Sequence, residues 1–424
     1  MIWILIIVFI LCLIFRFPIA FSLGLSCLFY LILKGIPLII IPMKMYSGID
    51  VFVLLSVPGF ILAGNLMNQG GLTSKIITFC NHLIGHIRGG LALSNITASM
   101  AFAGISGTAI SDTASIGAVM IPAMKKEGYD ADFSCAITAA SSTVGPIIPP
   151  SVPMIIVATL SGLSVGRLFL AGAIPGFLLG FGLMAVTYLI AKKKNYPKHP
   201  KSNFKQIISG FFDTFWSLLM TFIILFGIIG GVFTPTEASI IAVIYALLVG
   251  MFVYKKLNFE NVAVIVLDSM KTSASLMVLI GFANLFGWIL ITEQLPQLVS
   301  AEILKLSDNK YVVLLLINLL LIFVGTFMET IAALLILFPI LLKVALQVDV
   351  DPIHFGVIAL LNLIIGLTTP PLGVCLFVAS SIGKVSIGKV SKAGLPFLIT
   401  SLLVLMVVTL IPGLSLYLPG LFMD

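Results

Sequence analysis

The chain has 424 residues, of which 60% are hydrophobic and 9% charged, with a formal net charge of +7. A soluble domain carries about 25% charged residues, so the composition excludes a water-soluble globule and makes the bilayer the solvent. The positive excess is local: Lys192, Lys193, Lys194, Lys198, Lys201 and Lys205 crowd one polar stretch that has no acid. Between apolar spans such a loop marks the cytoplasmic side rather than a nucleic-acid or lipid-binding patch.

Apolar runs at 1–15 and 18–33 open the chain. Arg16 follows the first run instead of preceding it, which predicts a membrane helix and no cleavable signal peptide. A third run extends from Val51 to about Asn68, with Pro58, Gly59 and Gly64 inside it. Gly71 to Gly90 carries Lys75, His82, His86 and Arg88 among Ile, Leu and Phe, the pattern of an amphipathic interfacial segment. His82 and His86 have the i, i+4 spacing of metal ligands, but no Glu follows the first and no third ligand is near. A polar face at the headgroups is the expected role. Cys12, Cys27, Cys80, Cys135 and Cys375 stand singly without CxxC or CxxH pairing, so they read as packed hydrophobes rather than disulfide or zinc partners.

Two apolar arms, Leu91–Phe102 and Ala114–Met124, then flank AGISGTAISDT. Arms of about 11 or 12 residues fall short of the roughly 20 that span hydrocarbon, which predicts a re-entrant hairpin. Backbone of that kind survives at depth only where protein or a water-filled cavity covers it. Phe133 to Gly145 reads as helix, PIIPPSVP breaks it, and Met154 to Leu160 resumes. Proline lacks an N–H and clashes with the preceding turn, so PIIPP cannot be continuous helix. Val165 to Ile190 closes the half.

Beyond the Lys-rich linker come the runs Ile207–Val232, Ala238–Val253 and Val262–Ile291, then an acidic, Leu-rich stretch around Glu302. Arms Val312–Phe323 and Ala332–Leu342 flank VGTFMETI as a second hairpin. Phe355–Gly366 leads into the break LTTPPLG, Val374–Ser381 resumes, and Leu395 to Leu418 ends the chain.

These halves say the same thing twice. Phe102 to Pro175 overlays Phe323 to Pro396 without a gap, at a constant offset of 221. Gly104 meets Gly325, Asp130 meets Asp351, Gly145 meets Gly366, Pro149-Pro150 meets Pro370-Pro371, and Gly162 meets Gly383. What repeats is the set of helix breakers, the sequence pointer to a secondary transporter's binding site. The predicted architecture is an all-α polytopic membrane protein of two inverted repeats. Residues 1–191 form the first (hairpin about 91–124, broken helix about 133–162), 192–205 the linker, and 206–424 the second (hairpin about 312–342, broken helix about 355–383).

A helix interrupted in mid-membrane leaves N–H groups open at one new end and C=O groups at the other. The first suits an anion and the second, with hydroxyls nearby, a small hard cation such as Na⁺. Ser106, Thr108 and Ser111 in hairpin one, with Ser141, Ser142 and Thr143, supply hydroxyls at the first break. Thr326 and Thr330 in hairpin two, with Asn362, Thr368 and Thr369, do so at the second. Gly104, Gly107, Gly145, Gly325, Gly366 and Gly373 allow backbone to approach an ion. The plainer alternative is that each hydroxyl bonds its own helix and each glycine only permits packing. The acids read as buried are Asp112, Glu237 and Glu329. Asp112 and Glu329 fall at hairpin tips, either to hold a cation or to brace the turn, whereas Thr234-Pro-Thr-Glu gives Glu237 capping-box spacing. No Lys or Arg lies near the breaks as a counter-charge. The four histidines are not grouped with acids, which disfavours an enzyme, and no GxxxxGK[ST] loop supports a primary pump.

GISGTAISDTASIGAVMIPAMKKEGYD, AASSTVGPIIPPSVPM, FTPTEASIIAVIYALLVG and HFGVIALLNLIIGLTTPPLG resemble the large membrane subunit of tripartite ATP-independent periplasmic (TRAP) transporters, the DctM or SiaM type. The resemblance covers essentially the whole chain. It implies sodium-coupled import of a small organic acid (a C4-dicarboxylate, sialic acid or a sugar acid) across a bacterial inner membrane by an elevator movement, the fold being of the ion-transporter-superfamily type. It implies a small four-helix membrane subunit, expected here as a separate chain, a periplasmic substrate-binding protein, and no cofactor beyond Na⁺. Carried over by position, the ion and substrate sites involve Ser106, Gly107, Thr108, Ser141 and Ser142, then Gly325, Thr326, Thr368, Thr369 and Pro370. Asp112, Gly145, Glu329, Asn362 and Gly373 stand beside them, and Na⁺ itself falls to Ser106, Thr108, Gly325, Thr326 and Thr369. Thr108 stands where the family pattern has Ser, and Glu329 where it has Asp; hydroxyl and charge are kept. The closest rival is a stand-alone organic-anion symporter or exchanger that needs no capture protein.

Overall fold

Proline and glycine, more than hydropathy, set where the helices start and stop. The computed structural model describes residues 2–15, 17–106, 108–306, 309–370 and 373–423. Helices α1 (Ile2–Ile14), α2 (Ile19–Lys34) and α3 (Ile40–Ile49) lead through a 3-10 turn, Phe52–Leu55, into α4 (Ser56–Gln69) and amphipathic α5 (Leu72–Ile84). The first hairpin is α6 (Gly90–Ser106) and α7 (Ala109–Lys126). The broken helix is α8 (Ala131–Ser142) plus α9 (Val152–Ser161), and α10 (Val165–Lys193) returns. The second half runs α11 (Phe204–Ile229), α12 (Pro235–Leu248) with a π-helical turn at Val249–Val253, α13 (Phe259–Thr292) and α14 (Leu295–Leu306). Its hairpin is α15 (Lys310–Gly325) and α16 (Thr330–Gln347), its broken helix α17 (Pro352–Gly366) plus α18 (Val374–Gly383), followed by α19 (Ile387–Leu410) and α20 (Gly413–Phe422). No strand occurs among the described residues, and seven helices are long and apolar enough to cross a membrane.

The repeat survives at the level of helix bounds. Adding 221 to Ala109–Lys126 gives 330–347, the bounds of α16, and adding it to 131 gives 352, where α17 starts. The order of the second copy is inverted. Lys194, at the far end of α10, bonds Asp130 at the head of α8, so the first broken helix starts on the linker face. Lys125, at the foot of α7 on that face, donates to the carbonyl of Gly383, where α18 ends (2.9 Å). The second broken helix therefore finishes where the first begins.

Several sequence expectations need correction. The hairpin arms are longer than read: α6 has 17 residues and α7 has 18, because Gly104 to Ser106 and Ala109 to Thr113 are themselves helical. Hydropathy marks the polar tip but not the turn; Thr113 keeps its hydroxyl satisfied on the Ala109 carbonyl (2.8 Å) and leaves the helix intact. Helix α3 lies in a segment assigned to nothing. The last apolar run is two helices, because Pro412 excludes helical backbone at Ile411 and ends α19. Glu237 is exposed rather than buried. It closes the expected capping box, accepting from the Thr234 N–H at 2.8 Å while its own N–H donates to the Thr234 hydroxyl at 3.3 Å.

Glycines set how closely the helices approach. Gly59 lets α4 cross Ser239 of α12, Gly48 lets α3 meet Asn284 of α13, and Gly24 lets α2 meet Phe282 of α13. In the other group Gly172 and Gly176 seat α10 on the first break, Gly180 seats it on Met100, and Gly366 touches the backbone of Gly325. Small residues at such crossings allow the backbone-to-backbone contact that drives helix association in lipid. The Lys-rich linker is strapped onto the base of the first hairpin. Lys194 and the Tyr196 hydroxyl both donate to Asp130 (2.5 and 2.8 Å), His199 pairs with Glu127 (3.1 Å), and Gly89 donates to the Pro197 carbonyl (3.1 Å).

Gly366→Ala sets a methyl group against backbone that cannot yield, so thermal unfolding in detergent falls by about 1–3 kcal/mol or more. The control Gly394→Ala meets only the Ala136 methyl at 3.9 Å and holds or gains stability, by up to about 1 kcal/mol. The Lys194 bond, then that of Tyr196, holds the Asp130 carboxyl below its ordinary value. Its contribution is therefore present above about pH 4 and lost as pH falls through the lowered folded value. Amide exchange over residues 194–199, corrected for intrinsic rate, rises in the wild type on acidification and is already raised at neutral pH in Asp130→Asn.

Candidate functional site

Each break is a run of tight turns, buried throughout at the first and reaching the surface at Pro370 in the second. After α8, Val144 donates to Ser141 and both Ile147 and Ile148 to Val144. After α17, Leu367, Thr368 and Thr369 each donate three residues back, and Cys375 donates to Leu367 (3.1 Å). The turns keep the chain paired across prolines that cannot donate, and they bring the carbonyl ends of α8 and α17 to the N-terminal ends of α9 and α18. Ser151 caps α9, accepting from Met154 at 3.3 Å. Helix α18 starts from Gly373 at φ 47°, the left-handed region, with no side-chain cap.

Each break is covered by the hairpin of its own repeat. At the first, the fully buried Asp112 lies against Gly145 so closely that a Cβ there would strike Oδ2. Thr108 caps α7, accepting from Ser111 at 3.3 Å, and Ser141 accepts from Ser99 of α6 at 3.0 Å. At the second, Gly325 sits on Gly366, and Glu329 caps α16 by accepting from Ile331 and Ala332 (2.9 and 3.2 Å). Asn362 donates to Asn318 of α15 at 2.6 Å, and Asn318 to Thr409 of α19 at 3.1 Å. Ser141 and Asn362 are repeat equivalents, so both hairpins are tied to their breaks from the same position.

Five of the hydroxyls follow the plainer reading, whereas the buried Thr330 hydroxyl makes no hydrogen bond among the described residues. Ser141 and Ser142 donate to the Thr138 carbonyl (3.1 and 2.8 Å), Thr326 to Phe323 (2.7 Å), and Thr368 and Thr369 to Ile365 (3.0 and 2.9 Å). That bond does not disqualify them as ligands: it uses the proton and leaves oxygen lone pairs. The repeats also cross-brace, because α18 packs on α7 and α8 while α16 packs on α9. The Cys375 thiol is within hydrogen-bonding reach of the Thr113 hydroxyl and within electrostatic reach of Asp112. The head of α18 thus reaches the first cluster, which holds Thr108, Asp112, Ser141, Ser142 and Gly145, through Cys375, two residues beyond Gly373. Gly325, Thr326, Glu329, Asn362, Thr368 and Thr369 form the second cluster, and Pro370 is exposed at its edge. Gly107 and the side chain of Ser106 lie outside the described residues. His82 bonds Ser202 at 3.1 Å, and no metal-ligating cluster occurs among the described residues.

Sequence reasoning missed Asn95, Ser99, Thr138 and Asn318. Asn95 donates to Thr138 at 2.6 Å, a second tie between α6 and α8. An amide inside an apolar hairpin arm was the available signal, since such a group in lipid seeks an interhelical partner.

Residues 6–414 match the family model described as "Tripartite ATP-independent periplasmic transporter, DctM component". The chain belongs to that family. It is 44% identical over 407 residues to the sialic acid TRAP transporter large permease SiaM of Vibrio cholerae, covering 96% of this chain and 95% of that one. It is 39% identical over 377 residues to the C4-dicarboxylate TRAP transporter large permease DctM of Pseudomonas aeruginosa, covering 89% and 88%. The fold is shared with the Alcanivorax borkumensis YdaH transporter, with a TM-score of 0.61 at 17% identity over 88% of this chain and 87% of that one. The protein is therefore a transporter permease of the bacterial inner membrane and not an enzyme.

Glu329→Ala removes a cap from α16 and lowers stability by about 0.5–2 kcal/mol in a thermal unfolding assay, whereas Glu329→Asp retains most of it.

Proposed function

We propose that this chain is the ion-coupled permease of a sodium-driven importer of small organic acids, fed by a soluble periplasmic binding protein and accompanied by a small four-helix membrane subunit. The observation that carries the reading is the pair of hydroxyl-lined breaks, each roofed by its own hairpin through close-set glycines or a carboxylate on a glycine. Carbonyl ends at α8 and α17 attract Na⁺, and the N-terminal end of α18 attracts a carboxylate. Sodium binds at Ser106 and Thr108 in one copy and at Gly325, Thr326 and Thr369 in the other. The names of the Vibrio and Pseudomonas relatives, a sialic acid and a C4-dicarboxylate permease, support a small carboxylated cargo. The Lys-rich linker faces the cytoplasm.

Movement is of the elevator kind. The helices joined through Gly24, Gly48 and Gly59 form the static body, and both hairpins with α8–α10 and α17–α19 form the sliding one. What supports this is uneven packing. A cavity of about 420 Å³ opens between α3 and α13 on one side and α9 and α16 on the other, and one of about 290 Å³ between α6 and α10 on one side and α11 on the other. Among the bonds that bridge the seam, Asn68 of α4 donates to Ser115 of α7 at 2.5 Å, and sliding must break it.

In proteoliposomes with an imposed Na⁺ gradient, Thr108→Ala and Thr369→Ala weaken the sodium dependence of uptake without preventing membrane insertion. An unchanged Na⁺ response in both variants would sink the ion assignment. Uptake by the purified chain without any soluble partner would favour a self-sufficient symporter or exchanger.

A further inference from the structure

The breaks carry no basic side chain, yet the larger cavity does. It opens on the side of the breaks away from the linker, where α9 ends. Lys44 of α3 lines it, and no acid is among its described lining residues. The Lys44 ammonium lies 5.3 Å from the ring centre of Trp288, and Lys44 forms no ion pair among the described residues. A cation lining a recess with largely apolar walls recruits an anion, because such a recess screens charge less than open water does.

The recess is built rather than incidental. Asn284 of α13 donates to the Lys44 carbonyl (2.7 Å) and to the Ser47 hydroxyl (3.3 Å), fixing α3 and leaving its own amide oxygen as an acceptor. Gly287, one turn on, faces open space: a Cβ there would meet nothing within 4 Å. Opposite, Thr159 of α9 lines the wall belonging to the sliding body.

We propose that this cavity is a binding station for the cargo and that it selects a polyhydroxylated monocarboxylic acid over a dicarboxylate. The inference rests on the organic-acid reading above. One cation matches one carboxylate, and a second carboxylate would enter an apolar wall with no counter-charge. The indole face of Trp288 offers flat apolar area for a sugar ring, while Ser47, Thr159 and the Asn284 amide oxygen offer partners for hydroxyls. Lys44 and Trp288 sit on the static body and Thr159 on the moving one, so cargo held here spans the seam.

The test uses Trp288 as its own reporter. Three tryptophans are present, and Trp3→Phe with Trp216→Phe leaves Trp288 alone. Titration with N-acetylneuraminate should give a saturable change in its emission, about tenfold tighter than any response to succinate. Lys44→Gln should weaken that response about tenfold or more, Lys44→Arg should largely restore it, and Gly287→Leu should remove it by filling the cavity. Unfolding temperatures near wild type certify that the variants fold. An equal titration in Lys44→Gln, the absence of a saturable wild-type response, or a preference for succinate would each overturn the proposal. The same variants are then assayed for uptake in the complex reconstituted with its membrane and capture partners. Wild-type uptake unaffected by Lys44→Gln would overturn the station while leaving the transport reading intact. A normal Trp288 response with no Na⁺-driven uptake of either acid would support the station and count against that reading.

Discussion

Peptide groups have nowhere to go in hydrocarbon, and two interrupted helices in one membrane protein must be sheltered by the rest of it. Here the shelter is local. Each hairpin closes over the interruption that follows it in the same repeat, and glycine is what allows the closure. Gly325 rests on Gly366 main chain to main chain, and Asp112 occupies the space a side chain at Gly145 would take. The cross-packing of α7 on α18 and α9 on α16 then locks the sheltered pair into one unit.

That arrangement explains what could be read from the chain. The repeat and the breaks were legible because Gly and Pro act through the backbone, and backbone constraints persist when side chains diverge. Hairpin lengths were not, since a hydroxyl bonded one turn back sits in a helix without signalling a turn, as Thr113 does. Glu237 shows the opposite case: its capping box was visible in four letters, but its exposure depended on where α12 begins relative to the surface. Lys44 was missed for a topological reason. It lies far upstream of both breaks in sequence, on α3, which only the fold brings to the cavity wall.

Rigidity is distributed unevenly across the fold. Around the breaks, glycines bring helices close enough that a Cβ at Gly366 or Gly172 would strike main chain, whereas at Gly24, Gly48 and Gly59 it would strike side chains. Elsewhere the packing loosens into cavities lined largely by side chains. Side chains change rotamer at small expense and peptide planes do not, so the cavity walls are where the fold yields most easily.

The hydroxyls of Ser141, Ser142, Thr326, Thr368 and Thr369 have already committed their hydrogens to carbonyls one turn back. What they still present inward is electron density alone. Lone pairs of this kind suit a group that brings positive charge and offer nothing to one that needs a donated hydrogen. Alcohol side chains that carry no charge of their own thus make both interruptions electron-rich.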